Sequence, residues 1–395
     1  MYFVGLDVHF KRSSLCILDG NGKLVKRLEV KGPWQRLLQV VDEQVPKPFA
    51  VCYEASCGYG YLHDQLARRA ERVTVGHPGQ IRLIFRSKKK HDRIDAGKLA
   101  KLLYLDEVPA VHVPGLDVRA WRGLINYRRN LIGRRVAVKT QVRAHLRGLG
   151  IAVGVKGGLW TKKGIAWLRE VAMASAADAV RRDVLVDGLT ELEANVRKVE
   201  KELDRIGRAH PGVQLLQTIP GVGPRTAEAF VAHVDDVSRF ARVKQVGSYF
   251  GLVPCQDASA DRNRLGHITK DGPAGVRWLV AEAAWQGRRR SAKIRAFFDR
   301  VMRGDANRKK IALVATAHHL TRVMTAMLRS GEAWREEDAP PPVTAPAAAA
   351  ATSPAPQQQQ QQQSQSQSQS QSQSNAQPAK TKANAKTKTK GANKE

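Results

Sequence analysis

Four carboxylates in the first hundred residues have the type and spacing expected of a metal site. Asp7 lies in "FVGLDVH", a run otherwise typical of a buried strand, and Glu54 ends the apolar run "AVCYE". Asp92 and Asp95 are three residues apart, which predicts that both lie on one side of a helix. A carboxylate in an apolar strand is costly unless a charged partner meets it. The four acids therefore predict a site for two Mg²⁺ ions, which activate an attacking oxygen and stabilise a leaving one.

The second pair of acids lies inside a strongly basic stretch, "RSKKKHDRIDAGKLAKLL". Lys and Arg neutralise the phosphates of nucleic acid, whereas Asp repels them. The two features agree if the basic residues hold nucleic acid while the acids hold metal beside the scissile phosphate. Each acid also has a structural alternative: Asp7 as an edge residue, Glu54 as an ion-pair partner and Asp92 as a helix cap.

A candidate nucleophile lies in the C-terminal half, in "SYFGLVPCQDASADRNRLGHITKDGPAGVRWLV". Ser259 is in a polar stretch that we expect to be flexible, flanked by Arg262 and Arg264. A serine hydroxyl among guanidinium groups can attack phosphorus while the cations stabilise the developing charge. Lys270 in the turn "TKDG" and Arg277 in the following helix are predicted phosphate contacts by charge and proximity alone. Because loop serines are common, a serine without a catalytic role remains the alternative.

The motif "TIPGVGPRTA" precedes this stretch and resembles a helix-hairpin-helix turn. In such a turn, glycines let backbone N–H groups approach a phosphate at a helix N-terminus. Gly221 and Gly223 are therefore predicted to contact nucleic acid. The alternative is a tight packing turn between two helices.

Arg and Lys recur along a helical pattern from residue 117 to residue 149, with almost no acidic residue among them. This composition favours a phosphate-facing surface over a merely solvated one. The predicted nucleic-acid contacts on this helix are Arg128, Arg129, Arg134, Arg135 and Lys139.

A further helical segment carries apolar residues at alternating spacings of three and four, which predicts a short coiled coil. Its seam pairs either with another copy of the chain or with the preceding helix as an antiparallel hairpin, and the sequence allows both. The seam residues are Leu189, Leu192, Val196, Val199, Leu203 and Ile206.

Strand and helix patterns predict the fold class and the domain order. Three strand-like runs, followed by alternating helices and strands, indicate a mixed α/β sheet domain at residues 1–115. The basic helix and coiled coil occupy residues 116–210, and a mainly α-helical domain occupies residues 211–337. Residues 338–395 form a tail rich in Gln, Ser and Lys, for which the composition predicts disorder.

The charge of the chain limits its partners and location. The 395 residues carry a formal net charge of +30, which predicts a polyanionic partner. No apolar run approaches the roughly 18 residues of a membrane span, and the N-terminus has no signal-type leader. We therefore expect a cytoplasmic, nucleoid-associated protein without a membrane partner. The four cysteines lack metal-binding spacing, which predicts reduced structural thiols.

Taken together, these motifs resemble a known family. The order Asp7, Glu54, Asp92, Asp95, with "TIPGVGPRTA", "FGLVP" and "GHITKDGPAGVRWLV", is similar to the insertion-sequence one-ten transposases, also called bridge recombinases. The resemblance runs from Met1 to Gly331 and leaves the tail without a counterpart. It implies a RuvC-like (RNase H-like) N-terminal domain that binds Mg²⁺ through the four acids.

The resemblance also implies a mechanism and a set of partners. A serine of the C-terminal domain, placed at Ser259, would attack DNA and form a covalent phosphoserine intermediate. The implied partners are donor and target DNA, an element-encoded bridge RNA, and other copies of the chain in a dimer or tetramer. The acids of one chain would then work with the serine of another.

Two rival functions remain open from the residues alone. A metal-dependent junction resolvase would hydrolyse DNA with water, and it would need the four acids but not Ser259. A nucleic-acid scaffold would use the basic helix and the Pro-Gly turn, and all four acids would be dispensable.

Overall fold

The protein is described by a computed structural model over residues 1–84, 92–259 and 262–336; the side chains of residues 92–94, 257–259, 262 and 263 lie outside that description. The predicted tail at 338–395 also lies outside the described residues. The strands are β1 (Tyr2–Val8), β2 (Arg12–Leu18), β3 (Leu24–Lys31), β4 (Phe49–Glu54), β5 (Arg72–Gly76), β6 (Pro254–Ser259) and β7 (Arg262–Ile268).

The helices fall into an N-terminal and a C-terminal group. Those of the N-terminal part are α1 (Trp34–Gln44), α2 (Tyr59–Leu66), α3 (Pro78–Ile84) and α4 (Asp92–Tyr104). They are followed by α5 (Leu116–Gly148), α6 (Lys162–Glu170), α7 (Ala176–Ala209), α8 (Pro211–Leu216) and α9 (Pro224–Val234). The last are α10 (Gln245–Tyr249), α11 (Ala274–Arg290), α12 (Ala292–Met302) and α13 (Lys309–Ser330).

The N-terminal domain is a five-stranded mixed sheet, as the strand pattern predicts. Its strand order is β3-β2-β1-β4-β5. The first three strands form an antiparallel meander, whereas β4 and β5 run parallel to β1. Parallel strands need covered faces, and helices α1 and α2 cover one face while α4 covers the other. The carboxyl ends of β1 and β4 therefore meet at one edge of a sheet that is buried on both sides.

The two faces of β1 have different partners because side chains alternate along a strand. Val4 and Leu6 are buried in the apolar core beneath α1 and α2. Gly5 and Asp7 lie on the opposite face, which α4 covers with Ala96 and Ala100. An invading polar residue in this strand therefore lies between the sheet and α4.

Helices α5 and α7 form a long antiparallel hairpin. Arg128 of α5 hydrogen-bonds Glu200 of α7, and farther along α5 the imidazole of His145 bonds the Asp178 carbonyl. The apolar seam of α7 packs within this chain, so the second of the two predicted pairings is the one observed. Its buried members are Leu189, Leu192, Val196, Val199 and Leu203.

The C-terminal part is mainly helical around one apolar core. Helices α9, α11 and α13 contribute Phe230, Val280 and Leu320, each fully buried. The segment Ala306–Ser330 is 25 residues long with a mean hydropathy of 1.2, which suffices for a membrane span by length and composition alone. Its buried face contributes to this core, and that packing accounts for its apolar composition.

Ser259 lies on a strand rather than in a flexible loop, so that expectation is wrong for the backbone. Strands β6 and β7 form a two-stranded antiparallel hairpin in which Ser259 pairs with Arg262. The hairpin residues Gln256, Arg264 and Leu265 are exposed. Strand pairing within the hairpin therefore supplies the order that burial would normally supply, and the polar composition gave no sign of it.

All four cysteines are free thiols, as their spacing predicts. Cys16 and Cys52 are buried on the α4 side of the sheet. Burial raises the pKa of the Cys52 thiol to about 12. These two behave as small apolar core residues.

Candidate catalytic site

Asp7 and Glu54 are brought together by the register of two parallel strands. Leu6 of β1 pairs with Tyr53 of β4, so the next residue of each strand is a carboxylate. Both carboxylates lie on the α4 face, because their neighbours on that face, Gly5 and Cys52, also contact or approach α4. Two acids that are 47 positions apart in sequence thus become neighbours at one edge of the sheet.

Helix α4 places Asp95 over the same edge. A Cβ atom added to Gly5 would lie 2.1 Å from the Ala96 carbonyl oxygen and 2.4 Å from the Ala100 nitrogen. The absence of a side chain at Gly5 is therefore what lets the backbone of α4 lie directly on β1. Asp95 precedes Ala96, and Lys98 one turn later holds it at 2.9 Å.

The electrostatics of Glu54 report on the convergence of three acids. Burial raises the pKa of Glu54, and the negative charges of Asp7 and Asp95 raise it further. The cations Arg82 and His9 act in the opposite direction. Like charges raise a carboxyl pKa only at short range, so Asp7, Glu54 and Asp95 share one electrostatic environment.

A divalent metal ion suits this site in donor type and in charge. Mg²⁺ takes carboxylate oxygens, and a cation would neutralise the repulsion that raises the Glu54 pKa. Within the described side chains, no three His, Cys, Asp or Glu residues are grouped closely enough to hold a metal ion. Asp92 is the first residue of α4, and its side chain lies outside the described residues.

The carboxylates open into a cleft of about 320 Å³. Asp7 and Glu54 form one wall, and Phe10 and Trp34 form another. His9 also lines the cleft, with its Nε2 atom 3.6 Å from the Asp7 carboxylate. The sequence analysis missed these three neighbours, although the residue pattern from Gly5 through Asp7 to His9 follows the two-residue period of one strand face.

Gly5 is a second residue that the sequence analysis missed. It lies two positions before Asp7, on the same face of β1, where an apolar residue would be usual. A glycine inside a strand signals a close approach of another backbone, and here that backbone is α4. This signal was available in "FVGLDV".

The predicted serine is carried by the β6–β7 hairpin. The backbone of Ser259 is the last residue of β6, while its side chain, like that of Arg262, lies outside the described residues. Arg264 in β7 is exposed and pairs with Asp257 across the hairpin. The catalytic role of Ser259 therefore stays a prediction.

Arg277 has a partner that the sequence did not reveal. Its guanidinium Nη1 donates hydrogen bonds to the carbonyl oxygens of Phe250, Asp271 and Gly272. It thereby fastens the turn that carries Lys270, whose own backbone has a left-handed φ of 60°. Arg277 holds the base of the hairpin through these bonds, and Lys270 is the exposed cation of the turn.

The Pro-Gly turn is shaped by packing at one glycine and is open at the other. A Cβ atom on Gly221 would lie 2.4 Å from the Gly287 nitrogen of α11, and its φ of 95° is left-handed. These constraints support the packing alternative at this position. Gly223 is the N-cap of α9, and a Cβ atom there would meet no atom within 4 Å.

The five basic residues predicted on α5 divide into two groups. Arg128 bonds Glu200 at 2.8 Å, and Lys139 lies 3.3 Å from Glu193. The acidic partners that α5 lacks in its own sequence thus come from α7, which weakens the argument for phosphate contact at these two positions. Exposed or half-buried positions on the same helix are Arg129, Arg134 and Arg135.

Helix α5 also joins the two halves of the molecule. Arg119 pairs with Asp64 of α2, while Arg122 donates to the carbonyl oxygens of Ala232 and His233 at the end of α9. These contacts link the sheet domain to the C-terminal core through one helix.

Two protein-family models match the halves that carry the carboxylates and the serine. The DEDD transposase model of the IS110 group, described as a transposase, matches residues 4–151. The model described as the transposase IS116/IS110/IS902 family matches residues 213–299. Together they match more than half of the chain.

Curated relatives cover most of the chain at modest identity. A probable family 20 transposase of Pseudomonas aeruginosa is 25% identical over 342 residues, which is 84% of this chain and 98% of the relative. A putative transposase of Sinorhizobium fredii is 28% identical over 72% of this chain and 71% of the relative. The transposase for insertion sequence element IS1111A of Coxiella burnetii is 27% identical over 71% of this chain and 76% of the relative.

A sheet edge with three converging carboxylates, joined to a helical domain matched by a second transposase model, defines a DNA transposase: an enzyme that cleaves and rejoins DNA. The chain belongs to the IS110/IS116/IS902 family of insertion-sequence transposases. The DEDD members of this class normally use a divalent metal ion.

Proposed function

We propose that this transposase excises and inserts DNA by transesterification, through a covalent phosphoserine at Ser259. The observation that carries the proposal is the convergence of Asp7, Glu54 and Asp95 at one sheet edge, in a chain whose other half bears the predicted serine. The four predicted domains keep their boundaries in this proposal, at residues 1–115, 116–210, 211–337 and 338–395.

The N-terminal domain is proposed to be RNase H-like, or RuvC-like. An antiparallel three-stranded meander joined to two parallel strands, with acids at the ends of β1 and β4, supports that assignment. Asp7, Glu54, Asp92 and Asp95 would hold Mg²⁺. When bound, Mg²⁺ supplies Lewis-acid stabilisation of charge on the reacting phosphate.

Ser259 would attack phosphorus, forming an Oγ–P bond as the P–O bond to the leaving deoxyribose oxygen breaks. The leaving oxygen takes a proton, and the DNA end stays bound to the serine. A second hydroxyl then displaces the serine and rejoins the strand, so no phosphodiester energy is lost. Arg262 and Arg264 would stabilise the negative charge on the phosphorane oxygens.

The partners follow from charge and from site architecture. A net charge of +30 exceeds what one short duplex contact needs, which supports binding of both DNA and a structured bridge RNA. The carboxylates and Ser259 lie on separate domains, which supports a dimer or tetramer with a site shared between chains. The reaction would take place in the cytoplasm, at nucleoid DNA.

Adduct trapping tests this proposal. Full-length protein is incubated with Mg²⁺, the joined-end DNA of its element and RNA transcribed from the flanking non-coding region. The mixture is denatured, and DNA-linked peptides are mapped by mass spectrometry. We expect an adduct on Ser259 that Ser259→Ala abolishes and that Ser248→Ala, a change at another exposed serine of the same domain, leaves intact.

The other outcomes are equally specific. An adduct that maps to a different residue would contradict the assignment of the nucleophile. Cleaved DNA without any adduct would replace transesterification with hydrolysis by water, which is the resolvase mechanism. Retained recombination in Asp7→Asn or Glu54→Gln would contradict the metal site.

A further inference from the structure

The aromatic wall of the catalytic cleft has no role in holding the carboxylates. Phe10 follows β1 three residues after Asp7, and 64% of its surface is exposed. Its ring lies 5.4 Å from the ring of Trp34, edge to face at 79°. Trp34 in turn stacks on Tyr61 at 6.0 Å and 24°, and Tyr61 is 41% exposed. Three aromatic rings therefore form one connected cluster, with its two outer rings open to solvent.

The position of this cluster relative to the acids is fixed by the chain. Gly58 follows Glu54 by four residues and has a left-handed φ of 76°. A Cβ atom at Gly58 would lie 2.0 Å from the Trp34 ring. The segment that leaves the carboxyl end of β4 is therefore pressed against the indole, so the aromatic wall and the acidic wall keep a constant spacing.

The cluster also presents an unused hydrogen-bond donor. The indole Nε1–H of Trp34 is buried and has no hydrogen-bond partner within the described part of the chain. A buried donor without a partner costs about 1–3 kcal/mol. An occupant with an acceptor on its edge would recover that cost, whereas a purely apolar occupant would not.

We propose that Phe10, Trp34 and Tyr61 form a stacking site for one unpaired nucleobase of the DNA strand whose phosphate lies at the carboxylates. This inference rests on the proposed function, since it needs DNA at the acids. A nucleobase has a flat π face for the exposed rings, acceptors on its edge for the indole N–H, and a covalent link to a phosphate. Such stacking is tolerant of sequence, so the site would hold a displaced base without selecting the target.

The strand geometry agrees with this occupant. Phosphate must approach Asp7 and Glu54 from the open side of the cleft, and Phe10 and Trp34 line that same cleft. A base in a duplex has both faces covered, so stacking on Phe10 requires that the base leave the helix. The aromatic wall would therefore stabilise a locally opened duplex next to the bond that is cut.

Fluorescence of 2-aminopurine tests the site directly. The probe is a single-stranded DNA oligonucleotide with one 2-aminopurine, mixed with full-length protein with Ca²⁺ in place of Mg²⁺ so that binding is measured without turnover. We expect quenching by the wild-type protein. Phe10→Leu, which keeps the apolar bulk but removes the π face, should weaken binding about 10-fold, and Phe10→Tyr should restore it.

Tyr104→Leu is the matched control, because Tyr104 is a partly exposed aromatic residue of the same domain that contacts Phe3 at the other end of β1. It should quench and bind like the wild type. Equal binding by Phe10→Leu and Phe10→Tyr would overturn the proposal and assign the cluster to an apolar protein contact. Lost quenching in Phe10→Leu with normal binding in Phe10→Tyr supports it.

The result is separable from the proposed chemistry. If 2-aminopurine is quenched through Phe10 but no adduct forms with Mg²⁺, the stacking site stands and the serine mechanism fails. If Phe10→Leu forms the Ser259 adduct at the wild-type rate and binds the probe normally, the stacking site fails and the mechanism stands.

Discussion

The two regions predicted to do chemistry are built in opposite ways. Asp7 and Glu54 end two strands of a sheet that is buried on both faces, and α4 is seated on that sheet without an intervening side chain at Gly5. Ser259 ends a strand of an exposed two-stranded hairpin, and Arg277 fastens the base of that hairpin. The carboxylates are therefore positioned by core packing, whereas the serine is positioned by one local strand pairing.

This difference matches what each group needs. Acids that share a metal ion must stay at fixed mutual distances, and a dense core provides that because it resists small shifts. A nucleophile that works with acids of another chain must reach outward, and an exposed arm provides that. The regions thus differ in rigidity for a chemical reason, and the following experiments test that contrast.

The largest effect is expected at the carboxylates. Glu54→Gln keeps the shape of the side chain but removes a charge that a metal ion needs, so recombination should fall by roughly 10³-fold or more. DNA binding by gel shift should change little, because the basic surfaces are intact. Glu43→Gln, at an exposed acid of α1, serves as the control and should retain activity. Full recombination in Glu54→Gln would show that this edge is structural.

A second buried glutamate separates a structural acid from the metal-site acids. Burial raises the pKa of Glu228 to about 7, and Arg225, with Nη1 3.0 Å away, opposes that shift. The native state therefore binds more protons than the unfolded state between about pH 4.5 and pH 7, so stability falls as pH rises through this window. Glu54 has acids as its charged neighbours, whereas the nearest charged neighbour of Glu228 is a cation.

Glu228→Gln should remove this dependence. The wild type should lose about 3 kcal/mol of unfolding free energy across that window from this group, and the variant should not. Urea denaturation at several pH values measures the difference in slope. Glu191→Gln, at an exposed position of α7, should keep the wild-type slope. Equal slopes for wild type and Glu228→Gln would show that Glu228 stays ionised in the fold.

Gly5→Ala tests whether the seat of α4 sets the carboxylate geometry. The added methyl group would lie 2.1 Å from a carbonyl oxygen of α4, so the helix must move, and overpacking of this kind costs about 1–3 kcal/mol. Recombination should fall further than stability does, because Asp95 moves with the helix. Thermal unfolding and recombination assays on the same preparation distinguish the two.

The matched change is Gly133→Ala, where the new methyl group would meet no atom within 4 Å. That helix should gain about 0.5–1 kcal/mol, because alanine is the better helix former. A Gly5→Ala protein as active as the wild type would break the link between core packing and the site.

The smallest effect is expected on the basic helix. Arg134 is exposed, so Arg134→Gln should lower the slope of log binding constant against log salt by about 1 without changing stability. Arg128 is engaged by Glu200, so Arg128→Gln should reduce stability by about 1 kcal/mol and leave the slope nearly unchanged. Binding titrations at several salt concentrations measure the slopes. The reverse pattern would show that Arg128 leaves Glu200 to contact phosphate.

Much of the fold was predictable from periodicity. The strands "YFVGLDV" and "FAVCYE" and the helix from residue 117 were recognisable because alternation and the 3.6-residue repeat are local properties. The positions of Asp7 and Glu54 at the ends of their strands followed directly. The hairpin of β6 and β7 was not recognisable, since an exposed polar strand has no apolar alternation to reveal it.

The amino-acid sequence by itself determined the type of each element, the order of the four acids and the excess of positive charge. Only the tertiary structure decided which groups meet: Asp7 with Glu54 through strand register, Arg128 with Glu200 across two helices, and Gly221 with α11. Periodicity reports the environment of a residue within its own element. A partner many residues away is chosen by how the elements pack, and no local pattern encodes that choice.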